Sequence, residues 1–141
     1  MIVRTVWQGK RAFVATGDSG HPIAMDAAAA YGGEGSGATP MELLLAGLAG
    51  CIGIDVTMIL DKYLGDIRRL EIETAGVRKE TPPKGFTAIE VTFRVDGDIP
   101  DYRIRKAIEM GLEKYCSVAD SLKADIRYRL ILNGAEAGAG G

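Results

Sequence analysis

Histidine and cysteine are scarce in this chain of 141 residues, which contains one histidine and two cysteines. Zinc sites normally use about four closely spaced ligands, so His21 with the widely separated Cys51 and Cys116 does not make a convincing zinc set. The two cysteines also lack the regular spacing of a small disulfide-stapled secreted domain. We therefore expect neither a metal site nor a structural disulfide framework.

A strong excess of charge is also absent. The formal net charge is -2 and the basic residues are scattered along the chain, so the sequence offers no surface for a polyanion. Residues Met1 to Trp7 do not begin the basic and apolar pattern of a secretory signal. We expect a cytoplasmic protein that does not bind nucleic acid and whose cysteines form disulfides only transiently.

One apolar segment, Leu43 to Leu60, contains a single charged residue, Asp55. The segment is shorter than the roughly 20 residues that span a bilayer, and Asp55 interrupts it, which favours a buried core helix over a membrane span. Thr39, Pro40 and Glu42 occupy the N-cap, first and third helical positions of a capping box. This pattern predicts a helix from residue 40 to about residue 63.

Three glycines, Gly47, Gly50 and Gly53, recur at every third position of this helix. Each glycine costs about 1 kcal/mol relative to alanine in a helix interior. Their presence indicates either the close approach of another backbone or room for a ligand beside Cys51. Because residues 43–54 carry no charged or polar side chain, the helix requires burial on every face, and we expect an obligate homodimer.

The remaining segments predict an α+β fold in which antiparallel strands surround this central apolar helix. Apolar periodicity predicts strands at 2–8, 11–16, 22–25, 70–77, 86–95 and 126–132, an amphipathic helix from 101 to about 115, and a short helix capped by Ser117. Residues 27–38 are expected to form a mobile loop, and residues 134–141 a flexible tail. We expect residues 1–133 to form a single domain.

The two cysteines are the residues best suited to chemistry. Cys51 taken alone fits an inert buried hydrophobe, whereas Cys116 is expected just before a helix N-terminus, where partial positive charge lowers a thiol's pKa. Glu42 already has a structural role in the capping box. The residues alone leave open a redox pair, a hydrolase with His21 as base, and a non-catalytic protein that binds a small apolar ligand.

Three segments carry further information: SGHPIAMD (Ser19 to Asp26), TPMELLLAGLAGCIGIDV (Thr39 to Val56) and EKYCSVA (Glu113 to Ala119). These segments resemble the OsmC/Ohr family, and the order of the elements extends the resemblance over about residues 1–133. The resemblance implies an OsmC-like fold, an intertwined homodimer with active sites at the subunit interface, and reduction of organic hydroperoxides by a cysteine pair. Matched by motif, Cys51 corresponds to the peroxide-attacking cysteine and Cys116 to the resolving one.

Two features depart from the pattern of the hydroperoxide-resistance members. In those proteins a catalytic glutamate directly follows the motif proline, whereas this chain has Met41 at that position and Glu42 after it. Those members also hold the reactive thiolate with an N-terminal arginine, for which Arg4 and Arg11 are both candidates here. The SGH and MEL patterns resemble a branch of the family whose substrate is not established.

We therefore expect a thiol-dependent peroxidase that reduces organic hydroperoxides through a sulfenic acid and a disulfide. An external dithiol would reduce the disulfide, with no metal or bound cofactor and no membrane partner. The alternative is a non-catalytic ligand-binding or redox-sensing protein of the same fold.

Overall fold

The structure is a computed structural model that describes residues 1–141, and it contains seven strands and three α-helices. The strands are β1 (Arg4–Gly9), β2 (Ala12–Thr16), β3 (Pro22–Met25), β4 (Ile67–Arg78), β5 (Phe86–Gly97), β6 (Asp125–Leu132) and β7 (Ala135–Gly140). The helices are α1 (Pro40–Ile59), α2 (Asp101–Met110) and α3 (Ser117–Ser121). The sequence predicts one domain over residues 1–133. In the structure the residues group into two compact units, Met1–Leu44 and Leu45–Gly141.

The first unit contains the three strands predicted at 2–8, 11–16 and 22–25, and they form a meander in which β1 and β3 pair antiparallel to the central β2. The loop after β3 is held by Asp26, which is only 3% exposed. Its carboxylate accepts hydrogen bonds from the backbone N–H groups of Ala27, Glu34 and Ser36, and from the Ser36 hydroxyl. The predicted mobile loop is therefore anchored, because one buried carboxylate organises its backbone.

The second unit contains a four-stranded sheet in the order β4-β5-β6-β7. The predicted strands at 70–77 and 86–95 are confirmed as β4 and β5, which pair antiparallel, and β6 and β7 also pair antiparallel. The β5–β6 pair is parallel, which departs from the expected all-antiparallel arrangement. The reason is the connection: α2 and α3 lie between these strands, and a parallel pair requires such a crossover.

The C-terminal residues 134–141 were expected to form a flexible tail, whereas the structure places Ala135–Gly140 in an edge strand, β7. A strand made almost entirely of alanine and glycine has no apolar alternation for sequence analysis to detect. The glycines have a packing role here. A Cβ atom on Gly138 would lie 2.3 Å from the Arg105 side chain, and one on Gly140 would lie 2.9 Å from the Tyr128 ring.

The core of the second unit lies between the sheet and two helices. Its fully buried side chains include Leu48, Ile52 and Val56 from α1, Ile104 and Ile108 from α2, and Val91, Phe93 and Leu130 from the sheet. Burial of each such side chain contributes about 1.5–3 kcal/mol relative to exposure. This packing fixes one face of α1 and aligns α2 beside it.

The opposite face of α1 is open in the single chain. Ile54 is 62% exposed and Met58 is 70% exposed, and a Cβ atom on Gly47 or Gly50 would meet nothing within 4 Å. The prediction of burial on every face is therefore not met within one chain. The helix α1 is long and apolar enough to cross a membrane, but the core helices of soluble proteins can have the same length and composition.

Candidate functional site

The fold brings Cys51 and Cys116 together. The ligand atoms of Cys51, Cys116 and Asp55 all lie within 4.8 Å of one another, and neither cysteine is in a disulfide. The two thiols are far apart in the sequence, so their proximity is a product of the packing between α1 and the end of α2. The predicted pairing of the cysteines in space is confirmed, whereas their catalytic roles stay predictions.

The first half of this site comes from α1. Cys51 and Asp55 are one helical turn apart, so their side chains project from the same face. This face meets the residue that follows α2, because a Cβ atom built on Gly111 would lie 3.5 Å from Cβ of Asp55. That distance is an ordinary van der Waals contact, so the backbone at Gly111 packs directly beside α1 at the site.

The second half comes from a widened turn. Residues Gly111–Tyr115 continue α2 as a π-helix, and the backbone N–H of Cys116 donates to the carbonyl of Gly111 at 2.8 Å. The sequence predicts a regular helix to about residue 115, and apolar spacing does not distinguish the π turn from it. Such turns occur frequently at functional sites. Here the turn ends at Cys116 and places its side chain beside Cys51 and Asp55 on α1.

Cys116 is the N-cap residue of α3, and its Sγ accepts a hydrogen bond from the backbone N–H of Ala119 at 3.3 Å. The predicted position before a helix is confirmed, but Cys116 rather than Ser117 is the cap. The expected depression of the thiol's pKa is wrong. Burial raises the pKa of Cys116 to about 11, with a further increase from Cys51, and outweighs the Ala119 hydrogen bond that lowers it.

The two thiols differ in accessibility. Cys116 is 3% exposed and belongs to the hydrophobic core, whereas Cys51 is partly exposed and packs against that core. Cys51 is therefore the thiol that molecules in solution reach more readily, and it is not the fully buried side chain that its residue type alone suggests.

Asp55 is the site residue that sequence reasoning did not assign. Its Oδ2 atom is inaccessible to solvent and has no hydrogen-bond partner. An unpartnered buried carboxylate oxygen is unfavourable, since burial removes the water that would otherwise solvate it. Two signals in the sequence could have identified it: Asp55 is the only charged residue within the apolar run, and it follows Cys51 by four positions.

A cavity of about 570 Å³ lies beside Cys116. Its wall includes Glu109, Leu112, Ile126 and Tyr128 but not Cys51. The Tyr128 hydroxyl donates to Glu109 at 2.8 Å, and burial, together with this hydrogen bond, raises the pKa of Tyr128 to about 12. This cavity therefore lies on the Cys116 side of the site, whereas room for a ligand beside Cys51 was one of the two explanations considered for the glycines of α1.

Glu42 forms the predicted capping box, which the structure confirms. Its Oε2 accepts hydrogen bonds from the Thr39 backbone N–H at 2.7 Å and the Thr39 hydroxyl at 2.9 Å, and its own N–H donates to Thr39 Oγ1 at 3.4 Å. These bonds lower the pKa of Glu42. Arg4 on β1 and Arg11 just before β2 are both exposed. All three candidate assisting residues belong to the unit Met1–Leu44, and both thiols to the unit Leu45–Gly141.

Sequence comparison identifies relatives of this chain. A family model described as OsmC-like protein matches residues 33–130. Protein YhfA of Escherichia coli K12 is 38% identical over 121 residues, which cover 84% of this chain and 87% of that protein.

Solved structures give the same grouping. A hypothetical protein from Aquifex aeolicus has a TM-score of 0.81 at 27% identity, with 94% of this chain and 95% of that chain covered. The organic hydroperoxide resistance protein OhrB of Bacillus subtilis has a TM-score of 0.58 at 23% identity, covering 94% of this chain and 98% of that one, and shows similarity of fold. Together with the predicted OsmC-like α+β fold, which the structure confirms, these matches establish that the chain belongs to the OsmC-like protein family.

Proposed function

We propose that this protein is a thiol-dependent peroxidase that reduces organic hydroperoxides with Cys51 and Cys116. The observation that carries the proposal is the proximity of two free thiols whose sulfur atoms lie within 4.8 Å of each other. In a compartment that keeps thiols reduced, disulfides that form between such residues are mostly catalytic or sensing.

The reaction proceeds in three steps. The Cys51 thiolate attacks the terminal oxygen of ROOH, the O–O bond breaks, and the alkoxide leaves as ROH after taking a proton, which leaves Cys51 as a sulfenic acid. The Cys116 thiolate then attacks the Cys51 sulfur, forms the disulfide and releases hydroxide, which becomes water. An external dithiol finally reduces the disulfide by exchange and is itself oxidised.

The different environments of the thiols support this division of roles. Cys51 is the more accessible residue, and a substrate must reach the attacking sulfur. Cys116 is buried, and its pKa of about 11 keeps it protonated and weakly nucleophilic at neutral pH. A thiol in that state does not compete with Cys51 for peroxide, but it lies close enough to react with a sulfenic acid on Cys51.

The names of structural neighbours favour organic hydroperoxides as substrates. Proteins of this fold from Bacillus subtilis and Legionella pneumophila are named organic hydroperoxide resistance proteins. Their identity to this chain is low, so the substrate class is carried over as part of the proposal. Glu42, Arg4 and Arg11 are the candidate assisting residues, with the capping box as the established role of Glu42.

We further propose that the active form is a homodimer joined through the open face of α1. Ile54 and Met58 are exposed apolar side chains on this helix, and Gly47 and Gly50 offer space without side chains. A second copy of the same face supplies a complementary apolar surface, and small residues let two helices approach closely. An isologous contact of this kind is the commonest arrangement in homo-oligomers.

The second candidate function is a ligand-binding or redox-sensing protein. The cavity of about 570 Å³ beside Cys116 favours it, because its size suits a small organic ligand. Oxidation of Cys116 in its wall would then alter affinity for that ligand. A sensor of this kind oxidises once and stops, whereas a peroxidase turns over.

A turnover assay separates these functions. Consumption of a bulky organic hydroperoxide and of hydrogen peroxide is measured with a dithiol for wild type, Cys51→Ser and the control Asp18→Asn, which changes an exposed turn residue outside α1. We expect steady turnover in wild type and control and none in Cys51→Ser. Unchanged turnover in Cys51→Ser would disprove the enzyme proposal, and a single oxidation without turnover in wild type would favour the sensor.

A further inference from the structure

The three atoms that converge at the site are of the kinds that bind zinc. Cys51 and Cys116 offer sulfur and Asp55 offers a carboxylate oxygen, each within 4.8 Å of the other two. Some point therefore lies within about 2.8 Å of all three atoms, close to the Zn–S distance of about 2.3 Å and the Zn–O distance of about 2.0 Å.

The unpartnered carboxylate oxygen is an independent indication of a ligand. Oδ2 of Asp55 is shielded from solvent and accepts no hydrogen bond. A cation bound by this carboxylate and the two sulfurs would compensate for the missing hydrogen bond. It would also balance the negative charges of the carboxylate and the two thiolates, because a buried group of like charges is unfavourable without a counter-charge.

We propose that the reduced form of this protein binds one Zn²⁺ per chain through Cys51, Cys116 and Asp55. Three protein ligands leave a fourth tetrahedral position for water. The sequence argued against zinc because its cysteines are widely separated. The folded chain removes that objection by bringing both sulfurs to one face of α1 and adding a third donor.

Zinc binding and disulfide formation are mutually exclusive at this site. Zn²⁺ binds the two thiolates and releases their protons to solvent, which overcomes the raised pKa of Cys116 when the metal is present. Oxidation of the zinc-bound pair by ROOH joins the two sulfurs and consumes two protons. It yields ROH, water and free Zn²⁺, because a disulfide no longer supplies thiolate ligands. Zinc binding requires the reduced thiols but not peroxidase turnover.

The test is a titration of the reduced full-length protein with Co²⁺, followed by competition with Zn²⁺, with no peroxide present. We expect one Co²⁺ per chain, a thiolate-to-cobalt charge-transfer band, and displacement of the cobalt by zinc. The disulfide form should not bind. Removal of an outer-shell partner of a metal ligand weakens binding about 10–100-fold, so loss of the ligand in Asp55→Asn should weaken it by at least about tenfold.

The matched control is Asp61→Asn, which changes an exposed aspartate just beyond α1 and should leave affinity unchanged. X-ray absorption of the wild-type complex provides a measurement that requires no variant, and should report two sulfur and two oxygen ligands. Three results would overturn the proposal: absence of the charge-transfer band, a metal coordination shell without two sulfurs, or unchanged metal affinity in a folded Asp55→Asn protein. Metal binding in a protein without peroxidase activity would leave the zinc site standing and refute only the proposed enzyme function.

Discussion

Cys51 Sγ and Cys116 Sγ lie within 4.8 Å of each other, but only the sulfur of Cys116 is engaged as a helix cap. A disulfide brings the two sulfurs to about 2.05 Å, and any part of that movement made by Cys116 weakens the hydrogen bond that its sulfur accepts from the backbone N–H of Ala119 at 3.3 Å. The sulfur that caps the short helix α3, at Ser117–Ser121, is therefore also a redox-active atom in the proposed reaction.

We predict that oxidation loosens α3. Loss of an N-cap hydrogen bond destabilises a helix by about 0.5–2 kcal/mol, and a helix of five residues has little other support. Amide hydrogen exchange should become faster at Ala119 and its neighbours in the disulfide form than in the reduced form. The β1–β2 hairpin serves as an internal control. Equal protection of α3 in both forms would contradict the prediction.

Closure of the disulfide should accelerate as pH rises. The pKa of Cys116 is raised to about 11, so its thiolate fraction at neutral pH is small and grows about tenfold per pH unit until the pH approaches that value. Single-turnover reactions quenched by alkylation and read by mass spectrometry measure the rate. In Cys116→Ser, oxidation should stop at a sulfenic acid on Cys51.

Tyr128 also has a raised pKa, about 12, and lies with Cys116 on the wall of the cavity. The variant Tyr128→Phe therefore serves as the control for this pH profile, and it should retain the rise. A closure rate that is already constant above neutral pH would show that Cys116 is not the group that titrates. Sulfenic acid found on Cys116 but never on Cys51 would reverse the assignment of the two roles.

Asp26 should make the folded protein sensitive to acid. Hydrogen bonds from the backbone of Glu34 and Ser36, and from the Ser36 hydroxyl, lower its pKa from 3.8 to about 2. The depressed value means that this carboxylate stabilises the folded state above about pH 4, and that the stabilisation is lost as the pH falls towards 2. Asp26→Asn should lower the melting temperature at neutral pH and converge with wild type near pH 2.

The control for acid unfolding is Asp18→Asn, at an exposed turn between β2 and β3. It should leave the acid transition unchanged. If Asp26→Asn and Asp18→Asn melt alike across this pH range, Asp26 does not anchor the loop at residues 27–38.

Glu42→Ala should lower the melting temperature through loss of the capping box. Glu42 accepts two hydrogen bonds from Thr39, and alanine leaves the Thr39 backbone N–H without this partner. Turnover should fall less than in Cys51→Ser. Glu42→Gln, which keeps an acceptor oxygen, is the control. A Glu42→Ala protein that melts normally but lacks activity would make Glu42 a catalytic residue.

A dimer joined through α1 and a monomer predict opposite effects of the substitution Gly50→Leu. If α1 packs against a second copy, Gly50→Leu should impair assembly and activity together by overpacking, and the melting temperature of wild type should rise with protein concentration. If the chain is monomeric, the new side chain enters open space, and replacing a helical glycine stabilises the helix by about 1 kcal/mol.

The control for this experiment is Gly65→Leu, since a side chain at Gly65 also meets nothing but lies outside α1. It should leave the concentration dependence of melting unchanged. An active monomer in light scattering at low concentration would refute the dimer.

The sequence by itself determined the features that depend on nearby residues. The capping box at Thr39 and Glu42 was readable because its donors and acceptors are three positions apart, and the β4–β5 pair because apolar alternation reports which face of a strand is buried. The motif around each cysteine likewise indicated that the two thiols belong together.

Tertiary structure alone decided the features that depend on distant residues. The pKa of Cys116 rises because the surrounding core removes water, which outweighs the local cap that sequence reasoning considered. Asp55 joins the thiols because α2 ends in a π turn against α1, and β7 forms because β6 provides an edge for a segment without its own strand signal. Burial and pairing are long-range effects, and no local pattern of residues encodes them.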